Sequence, residues 1–158
     1  MLKKNGQVVG VSVCCPPNTK NRHSLGGFSE ICYFIGQSMK GKIPGEVESG
    51  PVKKRMDALD KLMKEKHPKY PHWYVYCFGV DSTRQGQGNG REMMEFVGML
   101  GSHSNHPMYL ETAGPRNLSF YKKNGFEVVE TTVVSSAAGN FDVHGGVTSM
   151  VKKAGAGI

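Results

Sequence analysis

The stretch RQGQGNGREMMEF, residues 84 to 96, has glycine at positions 86, 88 and 90 and then runs directly into helix-forming residues. It constrains the fold more than any other segment because of what precedes it. HWYVYCFGV, His72 to Val80, is aromatic and β-branched and predicts a strand. Strand, glycine loop and helix in that order leave several N–H groups at the helix N-terminus without intrahelical partners. The positive end of the helix dipole stands behind them, so such a loop is suited to hold a phosphate. Glycine removes the Cβ that would keep an anion away. As a bare pattern, the triplet reads equally well as a flexible turn.

The rest of the chain supplies neighbours for that unit. Asn5-Gly6 ahead of Val8, Val9, Val11 and Val13 predicts a hairpin between Met1–Lys4 and a β-branched strand. Phe28, Ile31, Cys32, Ile35 and Met39 recur at helical spacing. Val52, Met56, Leu59 and Met63 line a second helix whose other face is lysine-rich. No aromatic residue interleaves with those lysines, so they read as a solvated face rather than a nucleic-acid footprint. After the glycines come a helix with Met93, Met94, Val97 and Leu100 on one face, the strand MYLETA and a short helix PRNLSFYKKNG closed by Gly125. Then follow the strand FEVVETTVV, a glycine-rich loop and the last strand VTSMVKK. At 158 residues the chain is predicted to be one domain over 1–153 with a disordered tail over 154–158.

Twenty Lys and Arg against 13 Asp and Glu leave a net charge of +7, which suits an anionic partner such as a phosphorylated cofactor. The cysteines Cys14, Cys15, Cys32 and Cys77 show no C-x-x-C spacing and read as reduced thiols of a cytoplasmic protein. No apolar run reaches signal or membrane-span length, so neither export nor a membrane partner is expected. His103-x-x-His106, read as part of a loop, has no cysteine or carboxylate close by and predicts no metal site.

Two familiar phosphate loops do not fit. The Lys-Ser/Thr ending of a P-loop is absent, and no glycine stands three residues after Gly88 as a dinucleotide fingerprint needs. The pattern Q/R-x-x-G-x-G/A is met by Gln85, Gly88 and Gly90, and N-x-x-x-Y-x-x-x-G-F by Asn117, Tyr121, Gly125 and Phe126. Two motifs in this order resemble the GNAT family of N-acetyltransferases, over roughly residues 5 to 153 and most closely from 72 to 126. The likeness is nearest to its puromycin N-acetyltransferase-like, small-molecule branch.

The resemblance implies an α/β (α+β) fold with a mixed, mostly antiparallel sheet flanked by helices. It also implies acetyl-CoA lying in a V-shaped gap between the strands at 72–80 and 108–112. The main chain of Phe78, Gly79 and Val80 would pair with the pantetheine arm. The N–H groups of Gln85, Gly86, Gln87, Gly88, Asn89 and Gly90, with Arg91, would hold the pyrophosphate. Asn117 would contact the pantetheine arm. Tyr121 would serve as general acid, since a phenol with a pKa of about 10 stays protonated until a thiolate leaves. A backbone N–H near Val80 would polarise the carbonyl.

The base is less legible. Tyr74 and Tyr76 occupy positions where several branches carry Glu or His, leaving Glu111 as the candidate base, with Glu30 and His72 as the other titratable groups considered. The family fold usually opens with a strand, two helices and another strand, and only Met1–Lys4 precedes the hairpin here. An N-terminally incomplete version is therefore expected, with an exposed edge that a homodimer would cover. The expected activity is acetyl transfer from acetyl-CoA to a primary amine of a small molecule. The alternatives are a catalytically silent CoA-binding module or fragment, and a protein-lysine acetyltransferase. A basic protein acceptor is disfavoured by like charge.

Overall fold

The computed structural model describes residues 1–18, 61, 64–132 and 146–155. The expected hairpin joins β1 (Leu2–Lys4) to β2 (Gln7–Cys15). Asn5 and Gly6 at its turn have φ of 51° and 76°, the positive values whose twist matches that of the flanking strands. Then come β3 (Trp73–Val80), α1 (Asn89–Ser104), β4 (Met108–Thr112), α2 (Pro115–Lys123), β5 (Glu127–Thr132) and β6 (Val147–Lys152). The six strands form one sheet in the order β1-β2-β3-β4-β6-β5. Every neighbouring pair is antiparallel except β3 and β4. That parallel pair is the consequence of α1, which carries the chain from the end of β3 back to the start of β4. A mixed, mostly antiparallel sheet with helices is thus what the chain builds. The helix expected over 28–39, most of the one expected over 51–65, the loop over 135–145 and residues 156–158 lie outside the described residues. Lys61 and residues 64–66 are helical.

The sheet has two apolar faces. On one, Val75, Met108, Leu110 and Met150 pack against Met94 and Val97 of α1, and Leu118, Phe120 and Tyr121 of α2 join them. On the other, Tyr74, Tyr76 and Tyr109 form a cluster with Cys15 and Cys77. Fully burying side chains of this size contributes about 1.5–3 kcal/mol each, so the two faces together fix the register of β3 and β4.

Helix α1 buries Met93, Met94, Val97, Gly98 and Gly101, a stripe at helical spacing, while Leu100 is only half-buried. The stripe ends on a glycine for a steric reason: a Cβ at Gly101 would lie 2.9 Å from Cγ of Met108 and 3.0 Å from the His106 carbonyl oxygen. The helix runs through His103, which the sequence suggested was loop, because its last turn is well bonded. His103 Nδ1 donates to the Met99 carbonyl at 2.9 Å, and Asn105, in the left-handed region, caps the end by donating to Gly101 and Ser102. Trp73 Nε1 donates to Ser104 Oγ at 2.7 Å, tying that end of α1 to the start of β3.

Candidate active site

The gap between β3 and β4 has a local cause. The two strands pair only at Trp73 with Met108 and at Tyr74 with Tyr109. Just beyond, β3 bulges: Val75 faces Cys14 and Cys77 faces Val13, so Tyr76 is the extra residue. A bulge bends its strand and increases the local twist, which turns the rest of β3 away from β4. It also breaks the strict alternation expected for this strand. Tyr76 and Cys77, adjacent in sequence, both join the tyrosine face, and Phe78 returns to the α1 face.

The divergence opens a cleft of about 630 Å³. Its floor is Cys77 to Val80, one end is Gln85, Gly86, Gly88, Gly90 and Arg91, and its far wall is Arg116, Asn117, Phe120 and Tyr121 of α2. The two motifs, separated in sequence, therefore face one another. Gln87 and Asn89 do not line the cleft. Asn89 is buried and its Nδ2 donates to the Arg84 carbonyl at 2.8 Å, and Gln87 Nε2 donates to the Thr83 carbonyl at 3.4 Å, so both side chains hold the loop from behind.

The loop has the geometry of an anion cradle. Gly86 and Gly88 have φ of 75° and 81°, and among the described residues no atom beyond their chain neighbours lies within 4 Å of where a Cβ would stand on either. Gly88 caps α1 without a side-chain hydrogen bond, leaving the first-turn N–H groups to whatever enters the cleft. Gly90 serves close packing, since its Cβ would meet the Phe120 ring at 3.2 Å. Gln85 bridges the mouth: its Nε2 donates to the Val80 carbonyl at 3.0 Å, and its Oε1 accepts from Arg116 Nη2 at 2.9 Å. Arg116 was not singled out by the sequence, where its one signal is a place just after Pro115 at the start of α2. Arg91 bonds Glu95 at 2.8 Å one turn along the helix. Asn117 donates to the Ala113 carbonyl at 3.0 Å. Tyr121 stands in an aromatic corner, 5.2 Å from the Phe120 ring, 5.8 Å from Phe126 and 6.3 Å from Phe78.

Glu111 does not line the cleft. It lies two residues beyond the last β3–β4 pair and, by alternation from Tyr109, on the tyrosine face. Its side chain is 2% exposed, and Oε1 faces His67 Nδ1 at 3.6 Å. Burial and then the charge of Glu111 push the Tyr74 phenol above its ordinary range, and the same two causes raise Tyr109. Tyr109 also donates to Ser149 Oγ at 3.0 Å. His72 is fully buried, with Nε2 3.0 Å from His67 Nε2. The sequence offered no periodic signal for His67, which precedes the strand. Glu30 lies outside the described residues. No group of three metal-ligating side chains occurs among the described residues, and no helix among them is long and apolar enough to cross a membrane.

The acetyltransferase (GNAT) domain model matches residues 45–128. Among solved structures, the Drosophila melanogaster polyamine N-acetyltransferase, which forms N-acetylagmatine, superposes with a TM-score of 0.61 at 16% identity, over 96% of this chain and 72% of that one. An agmatine N-acetyltransferase S171A variant gives 0.60 at 15% identity, over 94% and 70%. The mosquito arylalkylamine N-acetyltransferase like 5b gives 0.57 at 16%, over 92% and 68%. At these identities the likeness is one of fold.

Proposed function

Because the chain belongs to the GNAT acetyltransferase family, we propose that the cleft takes acetyl-CoA and passes its acetyl group to a primary amine of a small molecule. The observation that carries this reading is the cleft itself: a glycine loop with open Cβ positions at one end, and Tyr121 on the wall opposite the diverging strand. The residues fit the co-substrate. The N–H groups of the loop can approach a pyrophosphate without side-chain obstruction, and the guanidinium groups of Arg91 and Arg116 add positive charge at the same place. The polar main chain of Phe78 to Val80, turned away from β4, offers the pantetheine arm an added-strand partner.

The chemistry follows from the groups on hand. A neutral amine attacks the thioester carbonyl, whose developing negative charge is met by an N–H of β3. As the C–S bond breaks, Tyr121 gives its hydroxyl proton to the departing thiolate. Glu111 takes the amine's proton from the opposite side of the sheet. That polyamine, agmatine and arylalkylamine N-acetyltransferases share this fold supports a small amine acceptor.

One observation favours a second reading, a CoA-binding module without turnover: Glu111 is not on the cleft wall. Release of free CoA, followed with agmatine, a polyamine, an arylalkylamine and a lysine-rich peptide, separates the two. Saturable release with a small amine and not the peptide is the expected result. Acetyl-CoA binding without release for any acceptor refutes transfer, and preference for the peptide refutes the small-molecule assignment.

A further inference from the structure

Glu111 is a carboxylate in an environment that does not suit a lone charge. Neither oxygen makes a hydrogen bond of good geometry among the described residues, although the Tyr74 and Tyr109 phenols interact with it, and its side chain is almost wholly enclosed. A buried ionised carboxylate is strongly destabilising unless its charge is shared or neutralised, and such an orphan calls for an explanation.

The explanation is supplied by the polarity of a histidine chain. His72 Nδ1 lies 2.7 Å from the Tyr70 carbonyl oxygen. A carbonyl only accepts, so that nitrogen carries the hydrogen. A neutral His72 then presents a lone pair on Nε2, and the His67 Nε2 at 3.0 Å must donate to it. With its hydrogen on Nε2, a neutral His67 turns the lone pair of Nδ1 toward Glu111 Oε1, 3.6 Å away. Lone pair against carboxylate is repulsive. A single proton between them, whether as carboxyl against imidazole or carboxylate against imidazolium, converts repulsion into attraction.

We propose that Glu111 and His67 hold one titrating proton in common, and that the Tyr70–His72–His67 chain positions this pair as the proton acceptor of acetyl transfer. The second half rests on the acetyl-transfer reading above. Among the described residues, the other titratable groups packed around the pair are the phenols of Tyr70, Tyr74 and Tyr109, and β6 places Ser149 opposite Glu111. Tyr74 and Tyr109 keep their protons at working pH, so neither can relieve an amine of one. In the step, the amine nitrogen forms its C–N bond and loses a proton, through water, to the deprotonated pair. The C–S bond breaks, the sulfur takes the Tyr121 proton, and water restores Tyr121 and removes the proton from the pair. Glu111 is the proton-accepting end of this chain, and His67 and His72 are positioning residues acting through it.

Ring-nitrogen NMR of the full chain without acetyl-CoA tests the chain of donors. The expected result is a hydrogen on Nδ1 of His72 and on Nε2 of neutral His67, with the His67 titration displaced in Glu111→Gln. The opposite His67 tautomer, or a titration indifferent to Glu111→Gln, overturns the shared proton. His67→Asn, which keeps an N–H donor but does not titrate, tests the use of the pair and covers the case in which Glu111→Gln fails to fold. The ratio of kcat/KM at pH 8 to that at pH 6 is expected to change by at least about threefold, the effect of half a pH unit. A uniform loss at all pH values, as a merely structural role produces, overturns the proton-acceptor role. Absence of turnover with intact NMR coupling overturns the acetyl-transfer reading and the use of the pair, while the shared proton stands.

Discussion

Replacing Gly88 by alanine separates the backbone requirement of the loop from its steric one. Gly88 sits at φ 81°, ψ −8°, and no atom of the described residues beyond its chain neighbours would touch the new methyl group. The whole cost is therefore backbone, roughly 1–2 kcal/mol for an L-residue in the left-handed region. It can surface in two ways. If the loop keeps its shape, the fold is weakened by that amount and the Tm falls by roughly 2–8 °C for a domain of this size. If the loop relaxes to negative φ, the Tm is spared and acetyl-CoA must restore the loop on binding, weakening its Kd about 5–30-fold. Gly88→Asn is the comparison, because Asn5, Asn18 and Asn105 already adopt φ of 51°, 64° and 51° in this chain. Its backbone cost is smaller, but its amide projects into the cleft that Gly88 lines. Thermal melts and calorimetric titration of acetyl-CoA should show that, where Gly88→Ala lowers the Tm, Gly88→Asn lowers it less, yet binds acetyl-CoA no more tightly. Parental Tm and parental Kd in Gly88→Ala would refute the role assigned to the loop.

Three further outcomes are expected. Tyr121→Phe lowers kcat by about 100-fold while acetyl-CoA binding is unchanged, read by steady-state kinetics beside calorimetry; unchanged turnover removes Tyr121 as proton donor. Arg116→Ala loses its bond to Gln85 across the cleft mouth and weakens acetyl-CoA binding roughly tenfold at low salt, a difference that shrinks at high salt. Gly101→Ala forces a methyl group against Met108 and the His106 carbonyl, and scanning calorimetry should find about 1–3 kcal/mol of lost stability without a change in acetyl-CoA affinity.

The cleft was legible in the sequence because its makers are local. The glycine loop, Asn117 and Tyr121 carry fixed spacings, and a strand followed by a helix determines which end of the helix the loop faces. What was not legible is set by pairing. The bulge at Tyr76 exists because β2 and β3 slip by one residue between Val13 and Cys14, and neither strand's own alternation contains that slip. Arg116 matters only once α2 lies across the mouth from Gln85. His67 has no periodicity, and its meaning depends on the Tyr70 carbonyl and on Glu111, contributed by a strand more than forty residues later. His103 was misread because His and Gly neighbours suggest a loop, whereas the bond to the Met99 carbonyl keeps the helix going.

The position of β6 has a consequence for how the molecule is made. It is an interior strand inserted between β4 and β5, yet all its residues are translated after those of both neighbours. Until it arrives, β4 exposes an unpaired edge, and Met150, fully buried in the finished core, is missing from the layer beneath α1. The nascent chain can therefore bring the glycine loop and β3 together early, but the second wall of the cleft is held in place only when the last strand emerges. A ribosome paused shortly before Val147 would display an exposed strand edge to its neighbours. Chaperone occupancy at that length, rather than earlier, is where the synthesis of this protein is most exposed to failure.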